Sequence, residues 1–298
     1  PDVTLSIAKT AQPAPGETLR YYYHENVYRP SAESHTFQEI SQMGLEMLGA
    51  VGEAQVQQAV RLAAQSLAQL GAAWVLEVSH MGYLFGLFDA LGVPENARPG
   101  LLEKLREKNA HELRRAAQAA GLDAAGADAL TGLLELSGSC EETLTKAESA
   151  CRNERMRAAA AELRALAKTL EASGGSVRLD LSLAGEMEYY NGLVFQGYLQ
   201  GLPRPLLKGG RYDLLMQKFT PGAGAIGFAV YLDELDRLSA PTPPVQRNST
   251  GRVMLNVALP KGRLGDRMYD LLARIGYGCT EDYNATRKLV VENPAAGI

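Results

Sequence analysis

The sequence predicts an α+β domain on an antiparallel sheet, interrupted by a helical insertion and followed by the βαβ beginning of a separate α/β domain. Three observations carry this expectation. Strand-like segments group at both ends of residues 1–238, without the regular βαβ alternation of a parallel sheet. Between them, from about 95 to 173, the chain is rich in Ala, Leu, Glu and Arg at helical spacing and almost free of β-branched residues. After a Pro-rich polar linker at 239–251 (SAPTPPVQRNSTG) the rhythm changes to strand, amphipathic helix and strand.

Taken in order, RYYYHENVY (Arg20 to Tyr28) has strand propensity, and Pro30 to Ser34 is a loop by composition. The tyrosines Tyr21, Tyr22 and Tyr23 are read as packing a sheet. FQEISQMGLEMLG follows. Residues 52–70 place Val56, Val60, Ala63, Leu67 and Leu70 at steps of three or four, a helix. WVLEVS (Trp74 to Ser79) reads as a buried strand, and strands return at 176–183 and continue to GAIGFAVYLDEL. Beyond the linker, RVMLNVALP is a strand. GRLGDRMYDLLARIG is a helix with Leu264, Met268, Leu271, Leu272 and Ile275 on one face and Gly276 at its C-terminal cap, and RKLVVE is a second strand. The chain opens at Pro1 and closes on NPAAGI directly after that strand, so it is expected to be a fragment of a longer protein.

Composition narrows the function classes. A formal charge of −4 gives the chain no overall attraction for a polyanion, so no nucleic-acid partner is expected. Cys140, Cys151 and Cys279 form neither a disulfide framework nor a metal pattern, which favours a reducing cytosol; His24, His35, His80 and His111 do not pair at metal-ligand spacing either. His24 and His80 are read as structural. No long apolar run or secretory signal is present, so no membrane partner is expected.

The most informative segments are EYYNGLVFQGY (Glu188 to Tyr198) and LLKGGRYDLLMQKF (Leu206 to Phe219). The first reads as a strand with Gly192 inside it, which marks a bulge or a ligand approaching the backbone closely. In the second, Gly209 and Gly210 expose backbone N–H groups and Arg211 adds a cation, which suits a carboxylate or phosphate. Arg211 is equally suited to bracing the turn.

These segments resemble the histidine-recognition segments of class II histidyl-tRNA synthetases, and the resemblance extends over residues 1–238. PDVT resembles the family's strand that offers a carboxylate and a hydroxyl to the substrate ammonium, here Asp2 and Thr4. NVYRP resembles the arginine-bearing strand of motif 2, giving Arg29, and QMGLEMLG its second half, giving Gln42 and Glu46. Glu46 suits an ammonium or an ion pair at the pocket edge. EYYNG supplies Glu188, Tyr189 and Tyr190 toward an imidazole; because strand side chains alternate, one of the two tyrosines is expected to face the pocket. GGRYD, with Gly209, Gly210 and Arg211, closes it.

The departures from the family pattern point the same way. An arginine expected two residues ahead of the LDYY segment is Gly185, the motif 3 arginine is Glu234, and the motif 2 Gly-Arg pattern is SHTFQEI. The resemblance therefore implies an amino-acid sensor rather than an adenylating enzyme. The matching paralogue is the regulatory subunit of ATP phosphoribosyltransferase, which acts at the first step of histidine biosynthesis, needs no cofactor of its own and lacks an anticodon-binding domain. ALPKGRL resembles the start of the short-form catalytic subunit, a periplasmic-binding-protein-like domain, and puts Lys261, Gly262 and Arg263 at a phosphate. The implied protein is a cytoplasmic fusion with L-histidine as effector and the transferase catalytic domain or subunit as partner. Homo-oligomerisation is implied too, with Mg2+ serving the complete transferase. The rival readings are an active histidyl-tRNA synthetase and a non-sensing scaffold for catalytic subunits.

Overall fold

A computed structural model describes residues 3–30, 37–171, 176–184, 190–239 and 269–278. The chain divides into two units, Pro1–Leu238 and Ser239–Ile298. In the first, helix α1 (Val3–Thr10) precedes the long strands β1 (Thr18–Pro30) and β2 (Phe37–Gly49). Helix α2 (Glu53–Ala68), strand β3 (Trp74–His80) and helix α3 (Met81–Ala90) follow. The helical insertion then supplies α4 (Arg98–Arg106), α5 (Ala110–Ala119) and α6 (Ala124–Thr131), the short strand β4 (Ser137–Ser139), and helices α7 (Cys140–Ser149) and α8 (Glu154–Glu171). The chain returns through β5 (Ser176–Asp180), β6 (Leu193–Leu199), β7 (Leu207–Arg211), α9 (Asp213–Gln217), β8 (Gly224–Tyr231) and α10 (Leu232–Ser239).

Among the described residues these strands form one eight-stranded sheet in the order β1-β2-β8-β7-β6-β3-β5-β4. Its pairings are antiparallel, as expected, except β3 with β5, which run parallel. That exception follows from the insertion between them: a long helical crossover lets the chain re-enter the sheet in the same direction, which a tight hairpin cannot do. The insertion has no core of its own. Leu102, Leu105, Leu113 and Leu130 join the same apolar cluster as Leu76, Phe195 and Leu207 of the sheet. Local caps fix its helices: Asn109 Oδ1 accepts from Glu112 N at the start of α5, and Asp123 Oδ1 from Gly126 N at the start of α6.

Strand alternation gives the sheet two unlike faces. Leu76, Val78, Phe195, Leu207 and Ile226 point toward α2, α3 and α8 and are fully buried. Gly197 sits on this face because a Cβ there would lie 2.7 Å from Leu67 of α2. The alternate positions run in register from Tyr23 through Gly44, Ala229, Lys208, Gln196 and Glu77 to Arg178, a largely polar row on the opposite face.

Two local expectations need correction. PDVT does not lead a strand: Val3–Thr10 is helical, because Leu5, Ile7, Ala8 and Ala11 recur at helical spacing and pack on Leu48, Tyr212 and Met216. Gly192 lies just before β6 rather than inside a strand; its carbonyl accepts from Met81 N, and the Arg211 side chain occupies the space a Cβ would need. In the second unit, residues 269–272 are α-helical and continue into a π-helical turn, Ala273–Tyr277, with Gly276 at φ +93° in the left-handed region that suits a helix end. The flanking strands expected there, and Lys261, Gly262 and Arg263, lie outside the described residues.

Candidate functional site

The polar face of the sheet is the floor of a cavity of about 350 Å³. Glu46, on β2, stands at its base and is 2% exposed. Thr4 Oγ1 donates to one carboxylate oxygen at 2.6 Å, and the buried Tyr212 hydroxyl donates to the other at 2.5 Å. Two hydroxyl donors, one from α1 and one from the β7–α9 turn, fix the position of this carboxylate at the cavity base. Gln42, four residues back on the same strand and 4% exposed, also faces the cavity.

Missing side chains create the room beside Glu46. Register places Gly227 of β8 opposite Glu46 and Gly210 of β7 opposite Gly227. A Cβ on Gly227 would overlap the Glu46 carboxylate, and one on Gly210 would lie 2.6 Å from the Tyr190 ring. Gly44 likewise lets the buried Tyr23 ring lie flat against β2. Tyr190, Tyr23 and Tyr231 give the cavity aromatic walls, and Gln196 adds a polar side chain. Among the described residues its cations are Arg29, Arg106 and Lys208.

These cations are not equivalent. Gln38, the partner of Arg29, lies eight residues before Glu46 on β2, so about 26 Å of strand separates their rows. Arg29 therefore enters the cavity lining from a row well removed from that of Glu46. Lys208 lies two strands across and two residues along from Glu46, a backbone separation of about 12 Å. Beyond Gln196 the polar face continues to Glu77 and Tyr198. Burial raises the Glu77 carboxyl above its ordinary range, and burial together with the neighbouring Glu77 charge pushes the Tyr198 hydroxyl up to about 12.

The structure brings Thr4, Arg29, Gln42, Glu46, Gly210 and Tyr190 to this cavity. Asp2, Glu188 and Tyr189 lie outside the described residues. Arg211 and Gly209 are placed elsewhere, for one reason: along β7 they alternate with Gly210 and so point to the helix-covered face. Gly209 there makes room for Phe195 and Phe228. Arg211 Nε donates to Asp213 Oδ2 at 2.7 Å, while Asp213 Oδ1 accepts from Ala225 N at 2.9 Å, so Arg211 braces the β7–α9 turn. Glu234 is buried on α10, outside the cavity lining, with Arg237 Nη1 3.2 Å from its Oε2. Gly185 and the SHT of SHTFQEI lie outside the described residues.

Sequence reasoning missed Tyr212, Gln196, Lys208 and Arg106. The first three had a signal, since Gln196 and Lys208 alternate with apolar or glycine neighbours on the strands of the two motif segments, and Tyr212 lies within GGRYD. Arg106 had none, because only tertiary packing brings α4 to the sheet. Of the structural histidines, His80 is fully engaged: its Nδ1 accepts from Gly82 N, and Nε2 faces Glu162 at 3.1 Å. His24 is exposed and has Ser41 Oγ at 3.5 Å.

A sheet with α2, α3 and α8 on one face and, on the other, a charged, glycine-floored cleft beside α1 defines a class II aminoacyl-tRNA synthetase-like domain. The family model described as Histidyl-tRNA synthetase matches residues 1–235, and the chain belongs to the histidyl-tRNA synthetase family. An ATP phosphoribosyltransferase regulatory subunit from Desulfitobacterium hafniense is 33% identical over 238 residues, covering 78% of this chain and 61% of that protein. The chain thus spans about three-fifths of the length of the curated relatives it matches. The crystal structure of an ATP phosphoribosyltransferase regulatory subunit/histidyl-tRNA synthetase from Bacillus halodurans aligns with a TM-score of 0.68 at 28% identity, over 96% of this chain and 74% of that one. A chain of the ATP phosphoribosyl transferase (HisG:HisZ) complex from Thermotoga maritima shares the fold at 19% identity, with a TM-score of 0.62 over 77% of this chain and 79% of that one.

Proposed function

We propose that this chain is the histidine-sensing regulatory component of an ATP phosphoribosyltransferase and does not charge tRNA. The observation that carries the reading is the buried Glu46 carboxylate at the base of the cavity, held by Thr4 and Tyr212 and facing a floor cleared by Gly210 and Gly227. An amino acid needs an anion for its ammonium, a cation for its carboxylate and aromatic walls for an imidazole, and the cavity offers all three. Relatives named as regulatory subunits support the choice of sensing over catalysis and a catalytic domain or subunit as partner. Glu234, where the family resemblance expects a nucleotide-binding arginine, supports the loss of adenylation. Among the described residues no helix is long and apolar enough to cross a membrane, and a cytoplasmic setting is part of the proposal.

Lys261, Gly262 and Arg263 are proposed to begin a fused catalytic domain, with Mg2+ serving the complete transferase. A tether of about a dozen residues would set a roughly millimolar effective concentration between the two domains.

A second reading, an adenylating synthetase, is favoured by the three cations that the cavity keeps among its described residues. Two measurements on the full chain separate the readings. Calorimetry with L-histidine is expected to show saturable binding, and ATP–pyrophosphate exchange with histidine is expected to stay at background. Exchange above background would install the synthetase reading. A folded chain that binds no histidine would leave the scaffold.

A further inference from the structure

We propose that the corner joining α4 to α5 is a latched flap beside the cavity, fastened by Lys108 to Asp180 of β5 and free to lift when that contact is released. The inference concerns the helical insertion and stands whether or not the cavity takes an amino acid. The corner's position ties it to the cavity. Arg106 and Ala184 both line it, and Arg106 Nε donates to the Ala184 carbonyl at 3.3 Å. Residues 106–110 are exposed, whereas Leu105 and Leu113 on either side are fully buried in the core. Those two leucines confine an opening to the polar corner between them.

The corner is strained where it turns. Lys108 has φ +52°, in the left-handed region, and is the non-glycine residue with positive φ among those described. Helix α4 ends as Glu107 N bonds to the Glu103 carbonyl and Lys108 N to the Leu105 carbonyl. The ends of α3 and α5 repeat this pair of bonds, and there the left-handed residue is Gly92 (φ +65°) and Gly121 (φ +92°). Glycine adopts that conformation without a Cβ clash. Lysine does not, so its backbone opposes the closed corner and its side chain must hold it.

The side chain has a partner suited to that task. Lys108 Nζ donates to Asp180 Oδ2 at 2.6 Å, while Asp180 Oδ1 accepts from Ser182 N at 3.0 Å and from Ser182 Oγ at 2.5 Å. Partial burial works against the ammonium charge, but the hydrogen bond to Asp180 and the charges of Asp180 and Glu77 outweigh it and hold Lys108 above the ordinary lysine range. The pair is unequal in a way that makes it releasable, since the lysine side chain is 58% exposed and that of Asp180 only 3%. On opening, the ammonium passes into water, and the buried carboxylate keeps both Ser182 donors instead of being stranded. The Lys108 backbone relaxes at the same moment. A charged contact therefore closes the flap, and the backbone it restrains opens it.

The test is amide hydrogen exchange on the full chain, read residue by residue, with the Glu107 and Lys108 amides reporting the corner and β3 and β6 reporting the sheet. Lys108→Ala keeps the strained backbone and loses the contact. Corner exchange is expected to accelerate about 5–10-fold, with β3 and β6 within about 2-fold of wild type. Lys108→Gly loses the contact and the strain together, and the corner should stay within about 2-fold of wild type. Asp180→Asn keeps an acceptor for Ser182; it should speed the corner in the wild-type chain and add nothing to Lys108→Ala, because the two residues act through one contact. If the asparagine variant does not fold, the alanine and glycine variants give the answer. Corner exchange unchanged in Lys108→Ala, equal acceleration in corner and sheet, or a glycine variant that opens as far as the alanine variant overturns the proposal.

Discussion

The two faces of the central sheet use the same strands for opposite purposes. On the helix-covered face, Leu76, Val78, Phe195, Leu207 and Ile226 are each 1% exposed or less and form one core with the insertion. On the other face, their neighbours Glu77, Gln196, Lys208 and Gly227 are polar or lack a side chain, and they leave a cleft. Stability and recognition are therefore separated by the two-residue period of a strand, not by distance along the chain. A substitution one residue away can move its effect from one property to the other.

Breaking the apolar face should produce the largest effect. Leu76→Ala removes a fully buried side chain of β3 from the core that the sheet shares with the helices. Its expected cost is about 2–5 kcal/mol of unfolding free energy, read from urea or thermal denaturation. Histidine affinity, measured on the fraction that remains folded, should change little. A large loss of affinity at unchanged stability would erase the division between the faces.

The polar face is sharpened by Glu46→Gln. Glutamine keeps the shape and an acceptor oxygen, so either Thr4 or Tyr212 retains its partner, and unfolding should shift only modestly. The charge proposed to face the ligand's ammonium is gone. A hydrogen bond to a charged group contributes about 1.5–3 kcal/mol, so calorimetry should show histidine binding weakened by roughly 10–100-fold. Undiminished affinity would move the ammonium site away from Glu46.

Much of this arrangement was legible in the residues. Alternation in WVLEVS and LVFQGYL gives both faces of β3 and β6, and Gly210 marks a position where a side chain would strike a wall of the cavity. Glu46 was legible through the resemblance of QMGLEMLG to the second half of motif 2. The helical start at Val3 was obscured by the resemblance of PDVT to a strand motif, although Leu5, Ala8 and Ala11 already repeat at helical steps. Arg106 was invisible for a different reason. Its place in the cavity lining depends on where a helical insertion docks, and no local pattern in LLEKLREKN encodes the contact with Ala184.

Arg211 offers the finest test, because it adjoins Gly210 and yet belongs to the opposite face. As a cation after two glycines it suited a ligand carboxylate; in the fold it is tied to Asp213 Oδ2 at 2.7 Å and to the Val51 carbonyl at 3.3 Å. Asp213 is the hub, since it also accepts from Ala225 N and so joins α9 to β8. Arg211→Gln removes the charge opposite a carboxylate that remains nine-tenths buried. The expected result is a loss of about 1.5–3 kcal/mol in unfolding experiments, the usual range for a hydrogen bond to a charged group. The L-histidine affinity of the folded protein should stay within about 2-fold of wild type, far below the effect of Glu46→Gln. If calorimetry instead shows a tenfold loss with stability intact, Arg211 reaches the ligand, and the strand alternation that separates the two faces fails at the end of β7.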